Sequence, residues 1–299
     1  MHEMRLVVPF PPGGASDRVA RTLAGPLGEV VGARVVVENV DERSGVASFA
    51  NAAPDGRTLL LGSTGSVVLA PLSRTPSPFD PRRDLAPVCL IGGAPAILTV
   101  HPSLPVRRLD ELVAHQRQRP GDLVTGSPGP GTVPHLAGLL FARRTGIAVR
   151  HREFAGSAPL LDAHVRGDVH VAFESQVVER VRAGQLRALA VMGSARSAAL
   201  KDVPTVSEAG VPGIDVGTWL AVFAPRGTPE PVCGRLADQV RRALADPGFA
   251  AQAPQGLEPR PGSPDQLARY LAADVERWSR YLRELGIVVA LPGEDGSRR

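Results

Sequence analysis

With 299 residues, 43% of them hydrophobic, the chain is long enough for one large domain or two of ordinary size. Aromatics at 4% count against a base-stacking surface, and the formal charge of +4 comes from arginines scattered along the chain, with Lys201 the one lysine, which argues against nucleic acid and against a P-loop. No apolar run approaches the roughly 20 residues that a membrane-spanning helix requires.

Leu6-Val7-Val8 has the apolar character of a buried strand. Pro11 and Pro12 forbid helix and ladder, since neither carries an N–H, and Gly13-Gly14 lets the backbone turn tightly. Ser16 and Asp17 are N-cap candidates for a helix that Val19, Leu23 and Leu27 continue. Strand, tight loop and helix start would aim unpaired N–H groups at one small volume, which suits an anion such as a carboxylate.

A second strand follows at Arg34 to Asn39, then a polar loop at Asp41 to Ser44 and a short helix at Val46 to Ala53. Pro54-Asp55-Gly56 is a turn, and Thr58 to Gly62 is a buried strand that empties into the hydroxyl-rich loop Ser63-Thr64-Gly65-Ser66. This β-α-β-α-β series predicts a parallel sheet, with ligands beyond the carboxyl ends of its strands.

A crossing into a second α/β set is expected after the strand at Ala96 to Val100. Leu123 to Thr125 leads into Gly126-Ser127-Pro128-Gly129-Pro130-Gly131-Thr132 and a helix carrying His135, repeating the opening with Thr132 as cap. The loop is neither G-x-G-x-x-G nor G-x-S-x-G, so dinucleotide and hydrolase readings lose their motif. His135 reads as a half-buried histidine bonded to nearby backbone. The next strand ends at Phe154-Ala155-Gly156-Ser157-Ala158, where Ser157 can cap a helix from Leu160 to Arg166, and Val169 to Phe173 ends at Glu174. Pro204 to Gly210 reads as a short helix. Trp219 to Pro225 is the strand that returns the chain to the first domain, and amphipathic helices from Glu230 and from Ser263 complete it. Cys89 and Cys233 are either one bridge or two buried thiols. His151, His164 and His170 match no metal spacing.

The sequence resembles the Bug, or TctC-like, family of solute receptors of tripartite tricarboxylate transporters. The matching stretches are Pro9-Phe10-Pro11-Pro12-Gly13-Gly14 with Asp17 and Ala20-Arg21, Val37-Glu38-Asn39, and Ala53-Pro54-Asp55-Gly56 with Thr58-Leu59-Leu60. Gly126-Ser127 through Gly131-Thr132 with His135-Leu136-Ala137, Gly156-Ser157-Ala158-Pro159, Leu189-Ala190-Val191, Val203 through Gly210, and Trp219 through Pro225 complete the match.

The resemblance implies an α/β, two-lobed, periplasmic-binding-protein-like fold of type II character. Each lobe would be a mostly parallel sheet flanked by helices: 1–98 with 222–299 as a discontinuous lobe 1, 99–221 as lobe 2, and a ligand cleft between them. The implied ligand residues are Phe10, Pro12, Gly13, Gly14, Ala15, Asp17, Ser63, Thr64, Ser127, Gly129, Gly131, Thr132, His135, Phe154, Gly156, Ser157, Ala158 and Glu174. No catalytic residue, cofactor or metal is implied. The expected partners are a small organic acid and the membrane subunits of such a transporter, the expected state a monomer, and the expected location extracytoplasmic. Met1-His2-Glu3-Met4 runs straight into the first strand, so either the protein is intracellular or an export segment has been removed.

Three departures from the family pattern bear on the ligand. Asp41-Glu42-Arg43-Ser44-Gly45 carries less glycine than the family's loop. Phe154-Ala155 stands where the family has an aromatic-basic pair, and His170 replaces an acidic residue near the end of the Val169 strand, for which Glu174 is the candidate substitute. A less polar site for an aromatic or monocarboxylate solute is the expectation. The alternatives are a solute sensor feeding a signalling partner, and an enzyme on the same scaffold using His135 and Glu174 as acid–base groups.

Overall fold

The computed structural model describes residues 3–74, 77–252, 256–287 and 289. It forms two compact units, Met1–Gly93 with Trp219–Arg299, and Ala94–Thr218.

The first unit opens with β1 (Glu3–Val8), α1 (Ala15–Val31), β2 (Arg34–Asn39), α2 (Glu42–Ala50) and β3 (Thr58–Ser63). β1 pairs in parallel with β2 and with β3, as β-α-β connections dictate. The spacing of Val19, Leu23 and Leu27 places all three fully inside, against β-strand residues such as Leu6 and Leu59. α2 begins where a polar loop was expected: the Gly45 N–H donates to the Asp41 carbonyl at 2.8 Å, a helical bond that a glycine-poor segment adopts readily. β3 runs directly into one turn of π-helix, Thr64–Leu69, where a loop was expected. Ser63 and Ser66 close a capping box at its start, and this reciprocal pairing draws the loop into the helix. The short helices α3 (Ala70–Leu72) and α4 (Pro81–Asp84) lead to β4 (Leu85–Pro95), along which the chain leaves the unit.

The second unit contains β5 (Ile97–Val100), α5 (Leu109–Gln118), β6 (Val124–Ser127), α6 (Val133–Thr145), β7 (Arg150–Glu153), α7 (Ser157–Arg166), β8 (Val171–Glu174), α8 (Val178–Arg182) and β9 (Arg187–Val191), with sheet order β7-β6-β8-β5-β9. Pro204 to Gly210 is a run of turns rather than a helix. Thr205 and Glu208 hold it: the Thr205 N–H donates to Glu208 Oε2 at 2.7 Å, and the Glu208 N–H to Thr205 Oγ1 at 3.1 Å. These side-chain bonds compete with a helical ladder.

The chain returns in β10 (Gly217–Pro225), followed by α9 (Glu230–Leu244), α10 (Pro247–Gln252), β11 (Glu258–Pro259) and α11 (Pro264–Glu284). The first sheet has the order β11-β4-β10-β3-β1-β2. Each sheet is mixed rather than mostly parallel. Strands within a β-α-β series run parallel, whereas β10 runs against β3, and β5 runs against β8 and β9. β5 and β10 adjoin the points where the chain changes units, so they enter their sheets outside the β-α-β series. Cys89 and Cys233 are free thiols buried in the first unit's core.

Trp219 ties β10 to two other parts of the first unit. Its N–H donates to Thr64 Oγ1 at 3.0 Å, and its indole Nε1–H donates to Asp274 Oδ2 at 2.6 Å. Asp274 is buried on α11 and also pairs with Arg277. Trp219→Phe would remove the neutral donor from a buried carboxylate. We expect a loss of about 2 kcal/mol, read as a lower urea midpoint at unchanged slope.

Candidate functional site

In the first unit, Pro11 to Gly14 form an exposed turn between β1 and α1. Gly13 sits at φ +82°, a conformation that a side chain would strain. Its N–H donates to Asp17 Oδ2 at 2.8 Å. Asp17 lies inside the first turn of α1; the N-cap is Gly14, which has no side-chain cap. Asp17 points inward at 2% exposure and also accepts from Arg21 Nε and Asn39 Nδ2, both at 2.9 Å. Asn39 in turn donates to the Phe10 carbonyl at 3.0 Å. Burial opposes ionisation at Asp17, but the hydrogen bonds from Arg21, Gly13 and Asn39 and the charge of Arg21 outweigh it and hold the carboxyl at about 2. Asp17 therefore shapes the loop from behind. Pro12, Gly13 and Gly14 are exposed and Ala15 partly so, and they present backbone.

The π-helical turn after β3 lies beside Phe10: a Cβ built on Gly65 would lie 3.9 Å from Phe10 Cζ. Ser63 and Thr64, expected to offer hydroxyls, are buried. Ser63 Oγ accepts from the Ser66 N–H, and Thr64 Oγ1 accepts from the Trp219 N–H, so both hydroxyls serve the fold.

The second unit gathers its expected residues at the carboxyl ends of β6, β7 and β8. Ser127 is buried, with Oγ 2.8 Å from His151 Nε2. The Phe154 N–H donates to the Ser127 carbonyl at 3.0 Å, which fastens one strand-end loop to the other. Thr132 is the N-cap of α6 by backbone position alone; its hydroxyl donates to the Gly129 carbonyl at 2.7 Å. Gly129 and Gly131 both take positive φ. The Gly131 N–H donates to His135 Nδ1 at 3.2 Å, leaving the proton of the neutral ring on Nε2. The His135 and His151 rings stand 4.7 Å apart. Burial depresses both pKa values, and the His151 charge adds to the effect at His135.

Next to this cluster, α7 packs closely on β6: a Cβ on Gly126 would meet Leu160 Cδ1 at 2.3 Å and the Val169 methyls at 3.1 and 3.2 Å, so a larger residue would require those side chains to shift. Gly156 is the N-cap of α7, and Ser157 is the first residue inside it. The Ser157 hydroxyl donates instead to both oxygens of Glu174, at 3.1 and 3.2 Å. Glu174 is 2% exposed, and burial pushes it up to about 7 against the pull of the Ser157 hydrogen bond. Ala158 is exposed beside it. His135 and Glu174, the imagined acid–base pair, thus have separate partners.

Two residues at this site were not singled out for it in the sequence: His151, and Arg152, whose guanidinium carbon lies 5.0 Å from the centre of the Phe154 ring. Strand alternation was the available signal. It sends His151 toward His135, and Arg152 and Phe154 to the other face.

Two α/β units, each with glycine-cornered loops beyond its strand ends, are the architecture of the two-unit α/β binding-protein class. The chain belongs to the tripartite tricarboxylate transporter family receptors, TctC, whose family model matches residues 19–287; this is a family of receptors, not enzymes. It is 37% identical to Protein BugT of Bordetella pertussis over 290 residues, 95% of this chain and 89% of that protein. Among solved structures, R. palustris Rpa4515 with adipate is 34% identical with a TM-score of 0.82, over 96% of this chain and 98% of that one. The periplasmic binding protein BugD is 28% identical with a TM-score of 0.80, again over 96% and 98%. The expected α/β binding-protein fold is therefore the one observed.

Proposed function

We propose that this chain is an extracytoplasmic receptor that captures a small organic carboxylate by closure of its two units and hands it to membrane subunits of a tripartite tricarboxylate-type transporter. The observation that carries this reading is the turn at Pro11 to Gly14. It is exposed backbone at the start of a long helix, held open by a buried carboxylate that faces away from solvent. Pro11 and Pro12 carry no N–H and that of Gly13 is spent on Asp17, so an anion here would be met by the Gly14 N–H and the first N–H groups of α1, and no nucleophile is needed to hold it. In the second unit, the contacts we propose are the backbone at Gly129, Gly131, Gly156 and Ala158, the Nε2–H of His135 and the face of Phe154, with Ser127, Thr132 and Ser157 holding those groups in place. The adipate in Rpa4515 supports a small organic acid as the ligand, and BugD supports a periplasmic setting.

A thermal-shift screen over adipate, malate, hexanoate and benzoate tests the reading. A ligand present at 100 times its Kd adds about 2.7 kcal/mol to the folded state, so at least one acid is expected to raise the melting temperature by several degrees. A flat response across the panel at millimolar concentration counts against a receptor for such acids.

A further inference from the structure

We infer that β2 joins two copies of this chain into a dimer, pairing antiparallel with the β2 of a second copy about a two-fold axis at Val36. This goes beyond the receptor reading and replaces the expected monomer.

β2 is the outer strand of the first sheet, and among the described residues it pairs with β1 alone. The Val40 N–H donates to the Val8 carbonyl at 2.9 Å, and Val8 stands opposite Asn39. A parallel ladder alternates, so the backbone groups of Val36 and Glu38 face β1 and those of Val35 and Val37 face away from it. Natural edges are blunted by proline, a bulge or a central charge. This one has none of the three. Its register with β1 is unbroken over six residues, its centre is Val35-Val36-Val37, and its charges, Arg34 and Glu38, stand to either side.

Those two charges point to a second copy as the occupant. An antiparallel partner has to bond through Val35 and Val37, whose N–H and C=O groups face outward. The symmetric register centred on Val36 uses both: Val35 of each copy exchanges two hydrogen bonds with the other copy's Val37, four in all. The same register sets Arg34 of each copy opposite the other copy's Glu38, at both ends of the pair. The two Val36 side chains meet at the axis, where β-branched pairs pack well. Arg34 is exposed, and among the described residues no acidic side chain pairs with it. Glu38 accepts from Arg5 through Oε2 alone, at 2.6 and 2.9 Å, which leaves Oε1 for a second cation.

The helix beside the strand leaves room for the second copy. A groove of about 460 Å³ runs between α1 and β2, lined by Ala24, Gly25, Gly28 and Gly32, with Glu29 and Arg34 as its charged groups. A Cβ added to Gly25 would meet nothing within 4 Å, so that side of α1 is open. The α1 of each copy lies over its own β1 and β2. With strands about 4.8 Å apart, the two α1 helices would run side by side about 10 Å apart, a separation at which helices pack when the facing residues are small.

Sedimentation velocity of the full chain from about 1 to about 200 µM tests the pairing, a range suited to a small, partly polar interface. The wild type is expected to pass from monomer toward dimer across it. By symmetry each substitution acts twice. Arg34→Glu meets the other copy's Glu38 with a like charge, and Glu38→Arg meets its Arg34 in the same way, so each variant alone should lose about tenfold or more in dimer affinity. An equimolar mixture of the two variants restores opposite charges at both ends and should dimerise within about threefold of the wild type. A wild type that stays monomeric at the highest concentration overturns the inference. So does a dimer that Arg34→Glu leaves as tight as before, or a mixture of two folded variants that is no tighter than its components. Far-ultraviolet dichroism and the melting temperature check the fold of each variant. If Glu38→Arg fails that check through the loss of its Arg5 pair, Arg34→Glu, a change at an exposed residue, decides alone.

Discussion

Asp17→Asn is expected to destabilise the protein by about 2 to 3 kcal/mol at pH 7 and to weaken acid binding in parallel. The carboxylate accepts from Gly13, Arg21 and Asn39 at 2.8 to 2.9 Å from a position of 2% exposure. An amide keeps the shape but offers a single acceptor oxygen, and its NH2 group faces donors. Leaving buried donors unmatched costs on the order of 1–3 kcal/mol. The pH dependence has a definite sign. The folded-state pKa is depressed to about 2 from a reference of 3.8, so the carboxylate's contribution is complete above about 4 and is lost as pH falls toward 2. The stability difference between wild type and variant, from urea melts, should be level from pH 8 to 5 and shrink below 4. Because Asn39 also holds the Phe10 carbonyl, a loosened Asp17 frees both ends of the turn. A variant with unchanged stability and unchanged affinity would show that the turn holds its shape without this clamp.

Glu174→Gln is expected to act in the opposite direction, stabilising the protein at alkaline pH. Burial raises the folded-state pKa from 4.5 to about 7 against the pull of the Ser157 hydroxyl, and among the described residues no cation pairs with it. Below about 4.5 the group is protonated in both states and costs nothing. Between 4.5 and 7 the unfolded chain ionises first, so stability falls as pH rises, and the full cost persists above 7. A raised pKa of this size corresponds to on the order of 3 kcal/mol. Glutamine is neutral throughout and can still accept from Ser157. The variant should match the wild type near pH 4.5 and exceed it by up to about that amount at pH 8. A difference that does not change with pH would mean that Glu174 is solvated or paired in solution. An anionic ligand close to Ser157 would raise the group further, so binding should take up protons in the wild type and less in the variant.

Local patterns alone determined the strand–turn–helix at the start of the chain. Two prolines stop the ladder, glycine permits the turn, and Val19, Leu23 and Leu27 repeat at helical spacing; each effect operates within a few residues. The same holds for α9 and α11, whose apolar faces are written at i and i+4, and for the strand at Trp219. What the tertiary structure decided was the direction in which the polar side chains of the site face. Asp17 turns inward because Asn39 waits on β2. Thr64 is consumed by Trp219, far along the chain, and Ser157 by Glu174 on a neighbouring strand. Arg152 meets the Phe154 ring because an extended strand brings alternate residues together. Each of these outcomes depends on partners that only folding makes adjacent, and a hydroxyl or carboxylate is identical in sequence whether it meets a ligand or a backbone N–H.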